Sequence, residues 1–158
     1  FCKMLQKRED VYLVLIGDGP TKEDIDKRIQ SYKIQDHVRV LGIRNDIADL
    51  MNMMEVFILP SHYEGFGIVL LEAQASGLPC VVSENIQPET DMNLGLIYWV
   101  NLDDTEKWIQ TIEENLEKKI KDKFIIKKAI NTSPYKLSQV VNKFYDLYEI
   151  KVHPQDIL

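Results

Sequence analysis

The chain has 158 residues, 45% of them hydrophobic and 28% charged, with a formal net charge of −6. This is the size of one domain with ordinary globular composition, too short for two full α/β domains. The acidic balance argues against a nucleic-acid binder, which carries a basic face, but not against a nucleotide, whose phosphates backbone N–H groups can hold. The two cysteines, Cys2 and Cys80, have neither metal-ligand spacing nor the density of a disulfide framework, which favours a reducing, cytoplasmic setting. No apolar run approaches the ~18 residues of a membrane span, and no signal peptide is visible. The start at Phe1-Cys2-Lys3-Met4-Leu5 reads as a piece cut from something longer.

Residues 11–16 read VYLVLI, a short β-branched run expected of a strand buried on both faces of a parallel sheet. The run ends in Gly17-Asp18-Gly19-Pro20. Thr21 and Asp24 then form an approximate capping box before a helix striped by Ile25 and Ile29. The unit repeats. Residues 37–41 predict a strand ending at Gly42, and Asn45 or Asp46 caps a short helix through Met53. Residues 56–59 predict the next buried strand, closed by Pro60-Ser61. A loop leads to a helix over residues 67–76, which Gly77 terminates and Pro79 forbids to continue. Residues 80–83 and 96–100 predict two more strands.

Beyond Asp103 the pattern is helical. Asp103 or Asp104 caps a segment with Trp108, Ile109, Ile112 and Leu116 at helical spacing. A second helix covers residues 124–130, and a third carries Leu137, Val140, Val141, Phe144 and Tyr148. Strands alternating with helices predict an α/β domain spanning 1–158: one doubly wound, Rossmann-like parallel sheet with C-terminal helices.

Ligands of such sheets bind beyond the carboxyl ends of the strands, where three loops gather: 17–20, 42–46 and 60–67. The third is the informative one. Gly65 and Gly67 flank Phe66 directly before a helix, so the backbone can approach a ligand closely. The first helical N–H groups, near Gly67, Ile68 and Val69, lack intrahelical partners and carry the positive end of the helix dipole, which suits a diphosphate. The plainer alternative is that the glycines only make the turn. Glu64 stands in the loop, and Glu72 stands inside the helix among Ile68, Leu71 and Ala75. A carboxylate in so apolar a segment needs partners, and ribose hydroxyls are good ones. For an isolated Glu, a solvent-facing or lysine-paired side chain would be the better reading.

Taken together, IGDGP (16–20), VRVLGIRNDIADLM (38–51), FILPSHYEGFGIVLLEAQASGLPCVVS (57–83) and the closing YKLSQVVNKFYDLYE (135–149) resemble the C-terminal, nucleotide-sugar-binding domain of retaining GT-B glycosyltransferases. The likeness covers nearly the whole chain and is greatest to bacterial capsular and exopolysaccharide enzymes. IGDGP alone is weak; the long segment with its two glutamates seven residues apart is specific. The resemblance implies that Glu64 hydrogen-bonds hydroxyls of the donor sugar and acts in catalysis. It implies that the backbone of Gly65, Phe66, Gly67, Ile68 and Val69 holds the distal phosphate and that Glu72 binds the ribose. The stretch around Arg44 would lie against the base, and Gly17, Ser61 and His62 would line the cleft. A lone His at a strand end is more often structural. The donor implied is a nucleoside diphosphate-sugar, UDP by default, with no metal and no cofactor; the chain carries no D-x-D triplet.

The family also has an earlier strand whose loop supplies an Arg and a Lys to the diphosphate, and an N-terminal domain that binds the acceptor. Lys3, Lys7 and Arg8 do not stand in that context. The resemblance therefore predicts weak nucleotide binding and no transfer by this chain alone. At 84–90 the chain keeps Pro88-Glu89 without the Gly-rich turn of many relatives. A sugar-nucleotide epimerase of the same architecture and a non-catalytic nucleotide-sugar module are the competing readings; the paired glutamates argue against both. Finally, Lys118, Lys119, Lys121, Lys123, Lys127 and Lys128 make a basic stretch in an acidic chain. A solvated helix face is the plain reading. The functional one is peripheral contact with an anionic membrane surface, at the inner face of the plasma membrane, where a lipid-linked acceptor would lie.

Overall fold

The computed structural model describes residues 1–147. After a short helix α1 (Cys2–Leu5), strands and helices alternate: β1 (Leu13–Ile16), α2 (Lys22–Ser31), β2 (Val38–Gly42), α3 (Ile47–Met53), β3 (Phe57–Leu59), α4 (Ile68–Ala75), β4 (Cys80–Ser83) and β5 (Ile97–Val100). Three helices close the described chain: α5 (Thr105–Asn115), α6 (Lys123–Thr132) and α7 (Leu137–Leu147). Every strand pairing is parallel, as the alternation requires. The elements match the expected ones with trimmed ends; Tyr148, expected on the last helix, lies outside the described residues.

The single sheet expected from the sequence is divided. β1 pairs with β2, and β3-β4-β5 form a separate ladder. Among the described residues, β1 and β3 each have one strand neighbour, so each leaves an edge without a ladder partner.

The core lies on both faces of the three-stranded ladder, and the period of two sorts its side chains. Cys80 and Val82 of β4 join Met51 of α3, Leu70 and Ala73 of α4, and Leu78 on one face, with Phe57 and Leu59 packed against them. Val81 turns to the other face, where it meets Met4, Val100 and the Trp108–Ile109–Ile112 stripe of α5. That helix begins as expected: Asp104 caps it by accepting from the Lys107 N–H at 2.9 Å. The capping box at α2 does not form. Thr21 occupies the N-cap position without a side-chain bond, and α2 buries none of its residues, Ile25 included. Ile29 is half-buried and Ile25 exposed, so the stripe is only partly covered.

Gly77 ends α4 as predicted, at φ 74°. A Cβ there would stand 2.2 Å from the Ile120 carbonyl oxygen, so the position needs glycine on space as well as conformation.

Candidate functional site at the β3–α4 corner

The apolar run of β3 stops at Pro60, and the chain reaches α4 through a loop of small and polar residues. Gly67 sits in the left-handed region at φ 68°, ψ 44°, in the N-cap position of α4. Glycine adopts this geometry without strain and carries no side-chain oxygen, so no side chain caps the helix. The first turn's N–H groups, at Ile68 and Val69, are therefore left for a ligand. Gly67 itself is buried, but the corner opens on either side of it: Gly65 has no neighbouring atom where a Cβ would stand, and Ile68 is 64% exposed. An uncapped helix N-terminus at an open corner favours an anion.

Glu64 is half-buried at the edge of this corner, and its Oε1 accepts a 2.7 Å hydrogen bond from Ser61 Oγ. The bond fixes the carboxylate while its remaining lone pairs stay available. His62 and Tyr63 are exposed beside it. Glu72 lies one turn along α4 from Ile68, on the same helix face by the i, i+4 rule. The expectation that Glu72 sits in buried surroundings is corrected. Leu70 and Ala73 turn inward, whereas Ile68 and Ala75 are exposed on the same side as Glu72, which is itself exposed. It faces a groove of about 880 Å³ and shares that wall with Ile47, Ala48 and Met51 of α3.

The corner is braced from behind by residues that sequence reasoning passed over. Gln74 is fully buried, and both its donors and its carbonyl oxygen are engaged. Its Nε2 donates to the Leu70 carbonyl at 3.0 Å and the Thr90 carbonyl at 2.8 Å, while its Oε1 accepts from the Met92 N–H at 2.8 Å. Thr90 stands in the one-turn helix Pro88–Thr90, and its Cγ2 would lie 3.7 Å from a Cβ on Gly67. Tyr135, between α6 and α7, covers the outside. Its ring meets Phe66 edge-on at 5.1 Å, and its hydroxyl donates to the Glu89 carbonyl. A glutamine at a position where α4 turns inward was the available signal for this brace.

The other two loops sit at the ends of β1 and β2. Gly17, at φ 133°, donates its N–H to the Gly42 carbonyl at 2.8 Å, which ties the first turn to the second. Arg44 forms a two-pronged pair with Asp46, at 2.8 and 2.5 Å. This bond holds the Asp46 carboxyl below the usual range and raises the Arg44 guanidinium. Asp46 was expected as a helix cap. It occupies the N-cap position of α3, but its side chain makes no capping bond and pairs with Arg44 instead. The guanidinium plane, exposed and fixed by its fork, is a surface on which a flat base could lie. Ser61, Glu64 and the 65–69 backbone are thus assembled at one corner, with Glu72 one turn along the helix. The hydrogen bonds of Gly17 and Arg44 stay on the β1–β2 side.

An uncapped helix N-terminus at the carboxyl end of a parallel strand, with carboxylates in the loop and on the helix, is the architecture of a Rossmann-like ligand-binding domain. Residues 1–132 match the family described as Glycosyl transferases group 1, and the chain belongs to that family. It is 35% identical to EpsF of Bacillus subtilis (strain 168), a glycosyltransferase by name, over 87% of this chain and 36% of that protein. It is 30% identical to the Escherichia coli UDP-Gal:alpha-D-GlcNAc-diphosphoundecaprenol alpha-1,3-galactosyltransferase, over 85% of this chain and 38% of that protein. The chain thus spans little more than a third of the length of these relatives.

Among solved structures it resembles TarM, with TM-score 0.77 at 19% identity, covering 93% of this chain and 30% of that one. It also resembles Anabaena HepE in complex with UDP, with TM-score 0.66 at 20% identity, covering 94% and 43%. These likenesses give the fold: an α/β, Rossmann-like domain of the kind found in GT-B glycosyltransferases.

Proposed function

We propose that this chain is the donor-binding domain of a retaining glycosyltransferase that moves a sugar from a nucleoside diphosphate-sugar, UDP by preference, to a saccharide or lipid-linked acceptor in polysaccharide synthesis. The observation that carries the reading is the left-handed Gly67, which leaves the α4 N-terminus uncapped at an open corner. In this reading the N–H groups of Ile68 and Val69 hold the distal phosphate. Retaining transfer builds negative charge on the departing diphosphate, and amides already aimed at that charge stabilise the transition state without reorganisation. Glu64, held by Ser61, receives hydroxyls of the donor sugar. Glu72 receives the ribose hydroxyls, and the exposed carboxylate suits this because it meets the ligand without a prior burial cost. The base lies against the Arg44 loop. The chemistry is carried by backbone amides and carboxylates, with no metal and no cofactor in the scheme.

The reading extends to the rest of the protein, which supplies an N-terminal acceptor domain and one more parallel strand between β1 and β3 with a cationic loop. The two free edges, on strands whose sequences read as buried, support the extra strand. The chain alone then binds nucleotide weakly and transfers nothing, and the whole enzyme works in the cytoplasm. Among the described residues no helix is long and apolar enough to cross a membrane.

The test is titration of the full-length protein with UDP, GDP and ADP. One of the three binds, and Glu72→Ala weakens it by about 10- to 100-fold, the equivalent of one charge-assisted hydrogen-bond pair. Glu64→Ala lowers kcat/KM for the sugar donor by a similar factor while leaving the affinity for free UDP intact. Equal UDP affinity in wild type and Glu72→Ala would sink the assignment.

A further inference from the structure

The basic stretch left unexplained by the donor site has a definite geometry. Residues 118–128 hold six lysines against one acid, Asp122, in a chain whose net charge is −6. Three of the charged groups have structural work. Asp122 caps α6 by accepting from the Phe124 N–H at 2.8 Å. Lys119 donates to the carbonyls of Met51, Asn52 and Met54 at 2.7–3.0 Å, which fastens the segment to the end of α3. Lys118 stands over the Tyr98 ring at 5.8 Å. Lys121, Lys123, Lys127 and Lys128 form no ion pair among the described residues.

The apolar side chains among them are placed against the rule for a soluble helix. α6 buries Ile126 against the domain. Phe124 lies about 160° around the helix from Ile126, at roughly 100° per residue, so it projects outward. It is 75% exposed and flanked on that outer face by Lys127 and Lys128. Ile125 is 47% exposed, and Met53, on the turn fastened by Lys119, is 79% exposed. A solvated face needs lysines there and gains nothing from a phenylalanine at its crest.

We propose that the outer face of α6, with residues 118–121 and Met53 beside it, is a contact surface for an anionic lipid bilayer. Charge complementarity selects the occupant. The unpaired cations are all lysines, which are compact, hydrated point charges suited to a diffuse anionic plane; recognition of a discrete carboxylate or phosphate favours the arginine fork. A short helix with lysines around a bulky apolar crest lies in the interface, its crest in the headgroup–acyl boundary. The attraction has to be local, because this chain, at net charge −6, is otherwise repelled by such a surface.

The experiment uses the full-length protein and two kinds of vesicle, phosphatidylcholine alone and phosphatidylcholine mixed with phosphatidylglycerol. The protein co-sediments with the anionic vesicles only, and salt releases it. Lys123→Glu with Lys127→Glu lowers partitioning about tenfold or more, and Phe124→Ser lowers it further. Lys22→Glu with Lys33→Glu, an equal charge change on and beside α2, leaves it unaltered. UDP affinity is unchanged in Phe124→Ser, whose side chain stands outside the groove that Lys123 and Lys127 share with Glu72, and this separates the surface from the donor site. Partitioning that survives the α6 changes, or an absence of binding to anionic vesicles, overturns the proposal. So does failure of a Phe124→Cys variant, in a Cys2→Ser background, to react with a maleimide in the absence of vesicles, because the rest of the chain would then cover this face.

Discussion

Strands β1 and β4 have similarly apolar sequences and end in different surroundings. β4 runs between two partners and under two helix layers, and all four of its residues are buried. β1 has one partner; three of its residues are half-buried and Ile16 is exposed. The helices follow their strands. α4 and α5 bury stripes against the β3–β5 ladder, whereas α2 buries nothing. Apolar sequence states what a strand requires. Whether the requirement is met depends on what lies beside it, and here the β3–β5 half is a finished core while the β1–β2 half is an open one.

The largest effect should come from the finished half. Gly77→Val places a side chain in a left-handed position and against the Ile120 carbonyl, so loss of about 4 kcal/mol or more, or failure to fold, is expected in denaturant titration. Leu70→Ala, at a fully buried site, should cost about 2–5 kcal/mol. Leu15→Ala in half-buried β1 should cost well under half of that. Equal costs for the two leucines would mean that the halves are equally consolidated. A full-length protein in which Leu15→Ala becomes as costly as Leu70→Ala, measured beside this chain alone, would show that another segment completes the open half.

Next in size is the brace behind the corner. Gln74→Leu keeps the volume and removes the amide, which leaves the Thr90 carbonyl and the Met92 N–H buried without partners. The expected loss is about 2–6 kcal/mol, at roughly 1–3 per orphaned group. Because Thr90 lies against Gly67, nucleotide affinity should fall as well. A variant that loses stability and keeps its affinity would show that the corner holds its shape without the brace.

The uneven halves also explain what could be read in advance. The β3 run, the Gly65–Phe66–Gly67 turn, the start of α4 and its stop at Gly77 are local features, set by apolar period, glycine and proline, and they were legible. The Asp104 cap was legible for the same reason. The Thr21 capping box and the Asp46 cap were not. A capping oxygen competes with every other partner in reach, and Asp46 found Arg44. The division of the sheet was not legible, because a run such as VYLVLI looks the same whether one neighbour or two lie beside it. Glu72 was misplaced in burial because α4 is apolar on both faces: Leu70 and Ala73 turn inward, but Ile68 and Ala75 are exposed beside Glu72, so composition does not tell the faces apart. Gln74 and Thr90 are sixteen positions apart with β4 between them, and no local pattern announces such a pair.

The smallest effects distinguish the halves by pH. Burial pushes the Cys80 thiol, in the finished half, up to about 12 from an ordinary 9.0. In the unfolded chain the thiol ionises first, so folding stability should decline as pH rises above about 9, and Cys80→Ala should flatten that slope in alkaline denaturation curves. A thiol reagent at pH 8 should reach Cys80 only after unfolding, since the thiol is fully buried. The open half responds on the acid side. Asp46 has its pKa lowered by its bond to Arg44, so its contribution is present above the unfolded aspartate value and lost as pH falls through the lower folded one. The pair is exposed and screened, which makes the acid slope the shallower of the two. Asp46→Asn should therefore move the acid midpoint slightly and the alkaline one not at all, and a shift on the alkaline side would mean that the two ladders melt as one.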